Sequence, residues 1–138
     1  MPTYRASREL LAPPSDVWRF IAEPRHLADW WPGISAVEPD RRGLTPGARW
    51  RARTSGATLF RRARADDTLV VSSVSPEVRF GFELVRAKTR VELSLTPAAG
   101  RRTTAELTIE TPFFGLSRRL PHHALIRLHD LCQTGAEI

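Results

Sequence analysis

The chain has 138 residues, of which 41% are hydrophobic, enough for one domain with a sizeable core. It has no run of about 18 apolar residues, which excludes a membrane-spanning helix, and its first ten residues lack the apolar stretch of a signal peptide. The single cysteine, Cys132, excludes an internal disulfide and is typical of a reducing compartment. We therefore expect one cytoplasmic domain over residues 1–138.

The charge balance is basic, with 21 Lys and Arg against 15 Asp and Glu, and Lys88 is the only lysine. A net charge of +6 is compatible with binding to nucleic acid or to an anionic membrane. The arginines, however, are spread along the chain. The tightest cluster is Arg61, Arg62 and Arg64, and the alternating Arg49, Arg51 and Arg53 lie upstream of it. Alternating arginines more often mark a solvated strand face or a protected edge. We therefore do not expect nucleic acid as a partner.

The first elements in chain order are a strand over residues 3–11 and a short helix that begins near Ser15. The Ser15 hydroxyl can cap that helix by accepting from free backbone N–H groups of its first turn. Val17, Trp18 and Ile21 then recur at helical spacing, which predicts one apolar face.

A second short helix, ending near residue 31, follows directly. Pro24 suits its first turn because the missing N–H would be unpaired there. Leu27, Ala28 and Trp31 give the helix a buried side, and Pro32-Gly33 ends it.

Strands with turns between them occupy the middle of the chain. Ala48, Trp50 and Ala52 alternate strictly with arginines, as in a strand with one buried face. The other strands expected here are Ile34 to Asp40, Ala57 to Ala65 and Thr68 to Val74, with turns at Ser55-Gly56, Asp66-Asp67 and Ser75 to Glu77.

Three further strands alternate most clearly. Apolar residues at 80, 82 and 84, at 91, 93 and 95, and at 105, 107 and 109 alternate with charged or polar residues. This pattern predicts an antiparallel meander with one buried and one solvated face.

From Phe113 to Cys132 the apolar period changes to three and four residues, which indicates an amphipathic helix. Pro121 lies within this stretch and allows two interpretations. Either the helix kinks there, or residues 113–120 are an approach turn and the main helix starts near Pro121.

The order of elements, with Ala12-Pro13, Val17-Trp18, Leu27, Trp31-Pro32 and the later Gly-Ala-Arg-Trp, resembles the SRPBCC superfamily, which has the START-like or helix-grip fold. Within it the chain is similar to the polyketide cyclase/dehydrase and lipid-transport family. The resemblance covers essentially the whole chain. It implies an α+β fold in which a curved antiparallel sheet of about seven strands wraps around a long C-terminal helix, with two short helices after the first strand. It implies no single activity, because fold does not decide function.

The resemblance also implies an apolar ligand pocket between the C-terminal helix and the sheet. Its walls would be the inward residues Trp31, Trp50, Phe80, Phe82, Leu84, Val91, Leu93, Leu107 and Ile109. Its floor or lid would come from Leu116, Leu120, Ala124 and Leu128. The same side chains are equally suited to filling the space as an ordinary core.

No established catalytic motif is present: the sequence has no G-x-S-x-G elbow, no P-loop and no dinucleotide fingerprint. His129 and Cys132 have helical spacing, but no second pair of ligands supports a metal, so no metal and no cofactor is expected. The strand glutamates fall opposite the apolar residues. Tyr4 and His123 are therefore the remaining candidates for an inward acid or base.

Three functions remain open. The first, and the favoured one, is a binder or carrier of a hydrophobic small molecule such as a lipid, a polyketide or an isoprenoid-like compound. The second is an enzyme of the aromatase/cyclase kind acting on a polyketide-like substrate. The third is a basic interaction module for an anionic partner. The sequence specifies neither a monomer nor a homodimer.

Overall fold

The computed structural model describes residues 3–54, 65–112 and 119–136. Seven strands in these ranges form one antiparallel sheet in the order β1-β7-β6-β5-β4-β3-β2. The strands are β1 (Thr3–Leu10), β2 (Ile34–Glu38), β3 (Arg49–Thr54), β4 (Ala65–Ser75), β5 (Arg79–Leu84), β6 (Thr89–Ala98) and β7 (Arg102–Glu110). The helices are α1 (Pro14–Ala22), α2 (Leu27–Trp30) and α3 (Leu120–Ala136), with a 3-10 helix (Pro24–His26) before α2. The predicted helix-grip architecture is confirmed.

The connection between β1 and β2 crosses the whole sheet. Strands β2 to β7 form a meander in chain order, whereas β1 pairs with β7, so that Tyr4 lies opposite Ile109. Strands β1 and β2 are therefore the two edges, and the short helices between them join one edge to the other.

The inner face of the sheet follows the predicted alternation. Phe80, Phe82 and Leu84 on β5 are buried, and the apolar residues of β3, β6 and β7 are buried with them. Arginines and glutamates occupy the opposite, outer face. A period of two therefore predicts the buried and exposed sides of these strands correctly.

Helix α1 does not use the predicted cap. It begins at Pro14 with Pro13 in the N-cap position, and no side chain caps it. Ser15 is exposed inside the first turn, so the expected role of its hydroxyl is wrong. Since Pro14 has no backbone N–H, the helix starts with one fewer donor to satisfy. Val17 and Ile21 are buried as predicted, and Trp18 is half-buried.

Helix α2 places two consecutive tryptophans in the core. Leu27 is buried and Ala28 half-buried, as expected for the inner side. Trp30, which the sequence did not single out, is as buried as Trp31. Both rings are accommodated because the helix ends at Trp30 and Trp31 has an extended backbone.

The predicted turn at Asp66-Asp67 is wrong. Both residues lie inside β4, where Asp66 pairs with Arg53 and Asp67 with Ala52. The turn expected at Ser55-Gly56 and nearly all of the strand expected from Ala57 lie outside the described residues.

Helix α3 begins at Leu120, which confirms that the main helix starts near Pro121. It packs against β1 and β7 and against the short helices α1 and α2. Its buried side consists of Pro121, Ala124, Leu125, Leu128 and Cys132. No helix in the described ranges is long and apolar enough to cross a membrane.

Candidate ligand-binding face

Four rings form a continuous aromatic row on the inner side of the sheet. Trp31 meets Phe82 edge to face, with ring centroids 5.5 Å apart, and Phe82 lies 5.5 Å from Phe80. Phe80 in turn stacks on Trp50 at 6.5 Å. The row joins α2 to β5 and β3. Aromatic pairs in these arrangements contribute about 0.5–1.5 kcal/mol each beyond their buried area.

The other predicted wall residues lie on the same inner face. Leu84, Val91, Leu93, Leu107 and Ile109 are all buried, as are Ala124 and Leu128 of α3. Leu120 is half-buried at the start of α3, and Leu116 lies outside the described residues. The structure thus brings the predicted apolar set together, whether as a core or as a ligand-binding surface.

The aromatic row and α3 occupy different parts of the inner face. Helix α3 packs mainly on β1 and β7, whereas Phe80 and Phe82 are on β5 and Trp50 is on β3. Trp31, at the end of α2, contacts Phe82 and so connects the short helices with β5. The Trp50 indole N–H donates to the carbonyl of Gly43 at 2.8 Å, which holds that ring at its end of the row.

Asp67 is a buried carboxylate that sequence reasoning missed. It is 6% exposed and points to the inner side, since it alternates with Leu69 and Val71. Its Oδ1 accepts from the backbone N–H of Thr68 and Arg86, and its Oδ2 accepts from Ala87. The alternation of residues 67, 69 and 71 in the sequence indicates an inward position for Asp67, but two adjacent aspartates favour a turn.

A pair of threonine hydroxyls adds a second polar spot at the same end of the inner face. The Oγ1 atoms of Thr89 and Thr111 lie 3.0 Å apart, and both residues are buried. Thr103, near the other end of β7, donates to the carbonyl of Ala12 at 2.7 Å. These hydroxyls satisfy one another or the backbone, as buried polar groups must.

The two candidate acid–base residues lie at different positions. Tyr4 is half-buried on β1, opposite Ile109, on the inner side of the sheet. His123 is exposed on the first turns of α3, so it does not enter the core as expected. Within the described ranges neither side chain has a hydrogen-bond partner. Their assignment as catalytic groups stays a prediction.

Cys132 is buried against the short helices. Burial, with a smaller effect from the nearby charge of Asp16, raises the pKa of its thiol to about 12. A thiol with such a pKa is not a nucleophile at neutral pH. In the part of the chain that the structure describes, no three His, Cys, Asp or Glu side chains are grouped for a metal ion.

The outer face of the sheet carries paired charges. Arg79 lies 3.1 Å from Glu92, and Arg90 lies 3.5 Å from Glu110. These pairs border a depression of about 280 Å³ whose lining is entirely polar or charged. All four side chains are largely exposed, so each pair contributes little to stability.

Comparison with known proteins supports the family suggested by the sequence. The family model described as polyketide cyclase / dehydrase and lipid transport matches residues 1–128. A comparison with curated protein sequences gives no match.

Solved structures with the same fold include proteins from several bacteria. Protein DR_A0006 of Deinococcus radiodurans is 14% identical, with a TM-score of 0.74 over 97% of this chain and 99% of that one. Protein NE0264 of Nitrosomonas europaea is 18% identical, with a TM-score of 0.75 over 96% and 95%. DynU16, a protein in the dynemicin biosynthetic locus, is 22% identical, with a TM-score of 0.64 over 96% of this chain and 48% of that one.

At these identities the solved structures establish the fold alone, and the family model establishes the relationship. The match covers all seven described strands, both short helices and the first half of α3. The chain therefore belongs to the polyketide cyclase / dehydrase and lipid transport family.

Proposed function

We propose that the protein binds a hydrophobic small molecule, such as a lipid, a polyketide or an isoprenoid-like compound, on the inner face of the sheet, against the aromatic row. The observation that carries this proposal is the continuous row from Trp31 to Trp50. Four connected rings provide a large apolar surface, and they are bordered by few polar groups. This composition is typical of sites for small apolar ligands.

The packing of the row sets a condition on binding. Trp31, Trp50, Phe80 and Phe82 are each at most 2% exposed, so a ligand must turn at least one ring aside. The apolar surface of the ligand then replaces the ring contacts, at about 25 cal/mol for each Å² removed from water. Binding should therefore change the environment of Trp31 or Trp50.

Native mass spectrometry of the purified protein, followed by organic extraction, tests whether a hydrophobic molecule copurifies. Titration with farnesol and with palmitic acid, followed by tryptophan emission, then locates the site. We expect a saturable emission change in the native protein and in the Trp18→Phe variant, whose ring is half-buried on α1 away from the row. The change should be small in a Trp31→Phe/Trp50→Phe variant.

The alternative outcomes are distinct. An unsaturable emission change with both compounds, and no copurified molecule, would contradict ligand binding. A change that survives in Trp31→Phe/Trp50→Phe but disappears in Trp18→Phe would place the ligand away from the aromatic row.

A further inference from the structure

Although arginines occur along the whole chain, its net positive charge comes from one segment. Residues 41–64 contain eight arginines and no acidic residue. The rest of the chain contains the other 13 of the 21 basic residues and all 15 acidic residues. Its net charge is therefore negative. Five of the eight arginines lie in described parts of the chain, and the inference rests on those five alone.

Three of them form a stripe along one strand. Arg49, Arg51 and Arg53 are exposed on the outer face of β3, where they alternate with the buried Trp50 and Ala52. Alternate residues of a strand lie about 6.8 Å apart. The arginine stripe, defined by these three residues, is therefore a row of cationic side chains on the side of β3 opposite the aromatic row.

The stripe has fewer close acidic partners than three other arginines of the outer face. Arg79, Arg90 and Arg102 each lie 2.8–3.5 Å from a glutamate. Within the stripe only Arg51 has such a partner, Glu38 at 3.9 Å. Arg49 and Arg53 have none within 4 Å among the described residues.

Two nearby carboxylates are held by the backbone instead. Asp40 accepts from the backbone N–H groups of Arg42, Gly43 and Arg49, and Asp67 is bound by three amides on the inner side. Asp66 lies opposite Arg53 in register but makes no ion pair with it. Arg41 and Arg42, in the connection before β3, are also exposed and extend the positive surface.

The turn between β5 and β6 adds an apolar group beside the stripe. Val85 is 46% exposed, and its N–H donates to the carbonyl of Thr68, which pairs with Arg51. Arg86 and Lys88 follow this valine in the turn and are exposed as well. An exposed apolar side chain beside cations is suited to the boundary between lipid headgroups and acyl chains.

We propose that the arginine stripe and the Val85 turn form a docking surface for a membrane that contains acidic phospholipids. Among the described residues this face has no exposed aromatic ring on which a base could stack and no helix that could enter a groove, so it lacks the means of reading nucleic acid. Binding to an extended anionic surface such as a membrane requires only the positive charge that the stripe provides. The inference goes beyond ligand binding and does not depend on it.

Co-sedimentation of the full chain with vesicles tests the proposal. The probes are vesicles of phosphatidylcholine alone and vesicles with about one third phosphatidylserine, at about 0.1 M and about 1 M salt. One variant neutralises the stripe (Arg49→Gln/Arg51→Gln/Arg53→Gln). Its matched control (Arg79→Gln/Arg90→Gln/Arg102→Gln) removes the same number of charges from paired sites on the same face.

The native protein should bind only the phosphatidylserine vesicles and only at the lower salt. Each arginine near an acidic membrane contributes roughly a fivefold increase in affinity, so the stripe variant should bind on the order of a hundredfold more weakly. The affinity of the paired-site control should fall by less than about tenfold. Glu38→Gln, which removes the one carboxylate that lies within 4 Å of a stripe guanidinium among the described residues, should strengthen binding severalfold.

Equal losses in the stripe variant and the paired-site control would overturn the proposal, because net charge alone would then account for binding. No binding of the native protein at low salt would overturn it as well. So would stronger, stripe-dependent binding to a duplex DNA probe at the same salt. Arg49→Lys/Arg51→Lys/Arg53→Lys keeps the charge and should retain vesicle binding. The farnesol titration reports the ligand site separately.

Discussion

The carboxylate of Asp67 accepts a hydrogen bond of 2.7 Å from the backbone N–H of Arg86, nineteen residues further along the chain. Since the same carboxylate also binds the N–H of Ala87, it holds the turn between β5 and β6 against β4. The bonds are charge-assisted and largely shielded from water, which makes them stronger than ordinary hydrogen bonds.

Asp67→Ala should lower the free energy of unfolding by about 2–3 kcal/mol, because it leaves backbone donors of a buried turn without an acceptor. Asp67→Asn keeps one oxygen and should cost about half as much. Urea unfolding measures both, with Asp66→Ala as the exposed neighbour that should change the free energy by less than about 0.5 kcal/mol. Equal effects at positions 66 and 67 would contradict the role assigned to Asp67.

Gly81 is required by the serines opposite it on β4. A Cβ atom at this position would lie 2.6 Å from Oγ of Ser73 and 2.8 Å from Oγ of Ser72. Gly81→Ala should therefore destabilise the protein by about 1–2 kcal/mol, with the lower value if the serine side chains rotate.

Ser73→Ala should be neutral or slightly stabilising, because the Ser73 hydroxyl is a buried oxygen with no hydrogen-bond partner in the described part of the chain. Combined with Gly81→Ala, it should recover part of the loss. A double-mutant cycle in urea measures this coupling. Strict additivity of the two changes would show that the contact with Ser73 is not the cause.

Cys132 should make stability fall at alkaline pH. Burial raises the pKa of its thiol in the folded protein to about 12, against 9.0 for an unperturbed thiol. The folded state therefore binds more protons than the unfolded state between these values, so the stabilising contribution is complete below pH 9 and is lost as the pH rises towards 12. Urea unfolding on both sides of pH 9 should show a smaller pH dependence in Cys132→Ala than in the native protein. Identical pH dependence would indicate an accessible thiol.

Asp40 should make the stability of the folded protein fall at acid pH. The backbone N–H of Arg49 lowers the pKa of this carboxyl below 3.8, and further bonds from Arg42 and Gly43 lower it too. Its contribution is present above pH 3.8 and is lost as the pH falls through the folded-state pKa. The Tm of Asp40→Asn should vary less with pH in this range than the Tm of the native protein. Parallel curves would rule out a contribution from Asp40.

The sequence predicts best the strands in which apolar residues alternate with outward residues without interruption. Phe80, Phe82 and Leu84 alternate with outward residues, and nothing nearby competes with that period. The burial of β5, β6 and β7 therefore follows from local pattern alone. The aromatic row could be predicted as a set of inward residues, although the order of contacts from Trp31 to Trp50 could not.

The wrong predictions depend on partners that are distant in sequence or on competing neighbours. Asp67 belongs to a strand because amides of residues 86 and 87 satisfy its carboxylate, and no local rule shows this. Ser15 fails as a cap because Pro14 already begins the helix. His123 directly precedes the buried Ala124 in α3. A difference of one position is enough to place its side chain on the exposed side of the helix.

The pairing of β1 with β7 has a consequence for the order of folding. Thr3 lies opposite Glu110, so β1, the first of the seven described strands in chain order, has no partner in this sheet until β7 is complete. Strands β2 to β7 can pair with a neighbour as each one emerges. Docking of β1 closes a loop of most of the chain and provides most of the platform on which α3 packs. We therefore expect β1 and α3 to join the sheet last, and until then β7 is an open edge at which two nascent chains can pair.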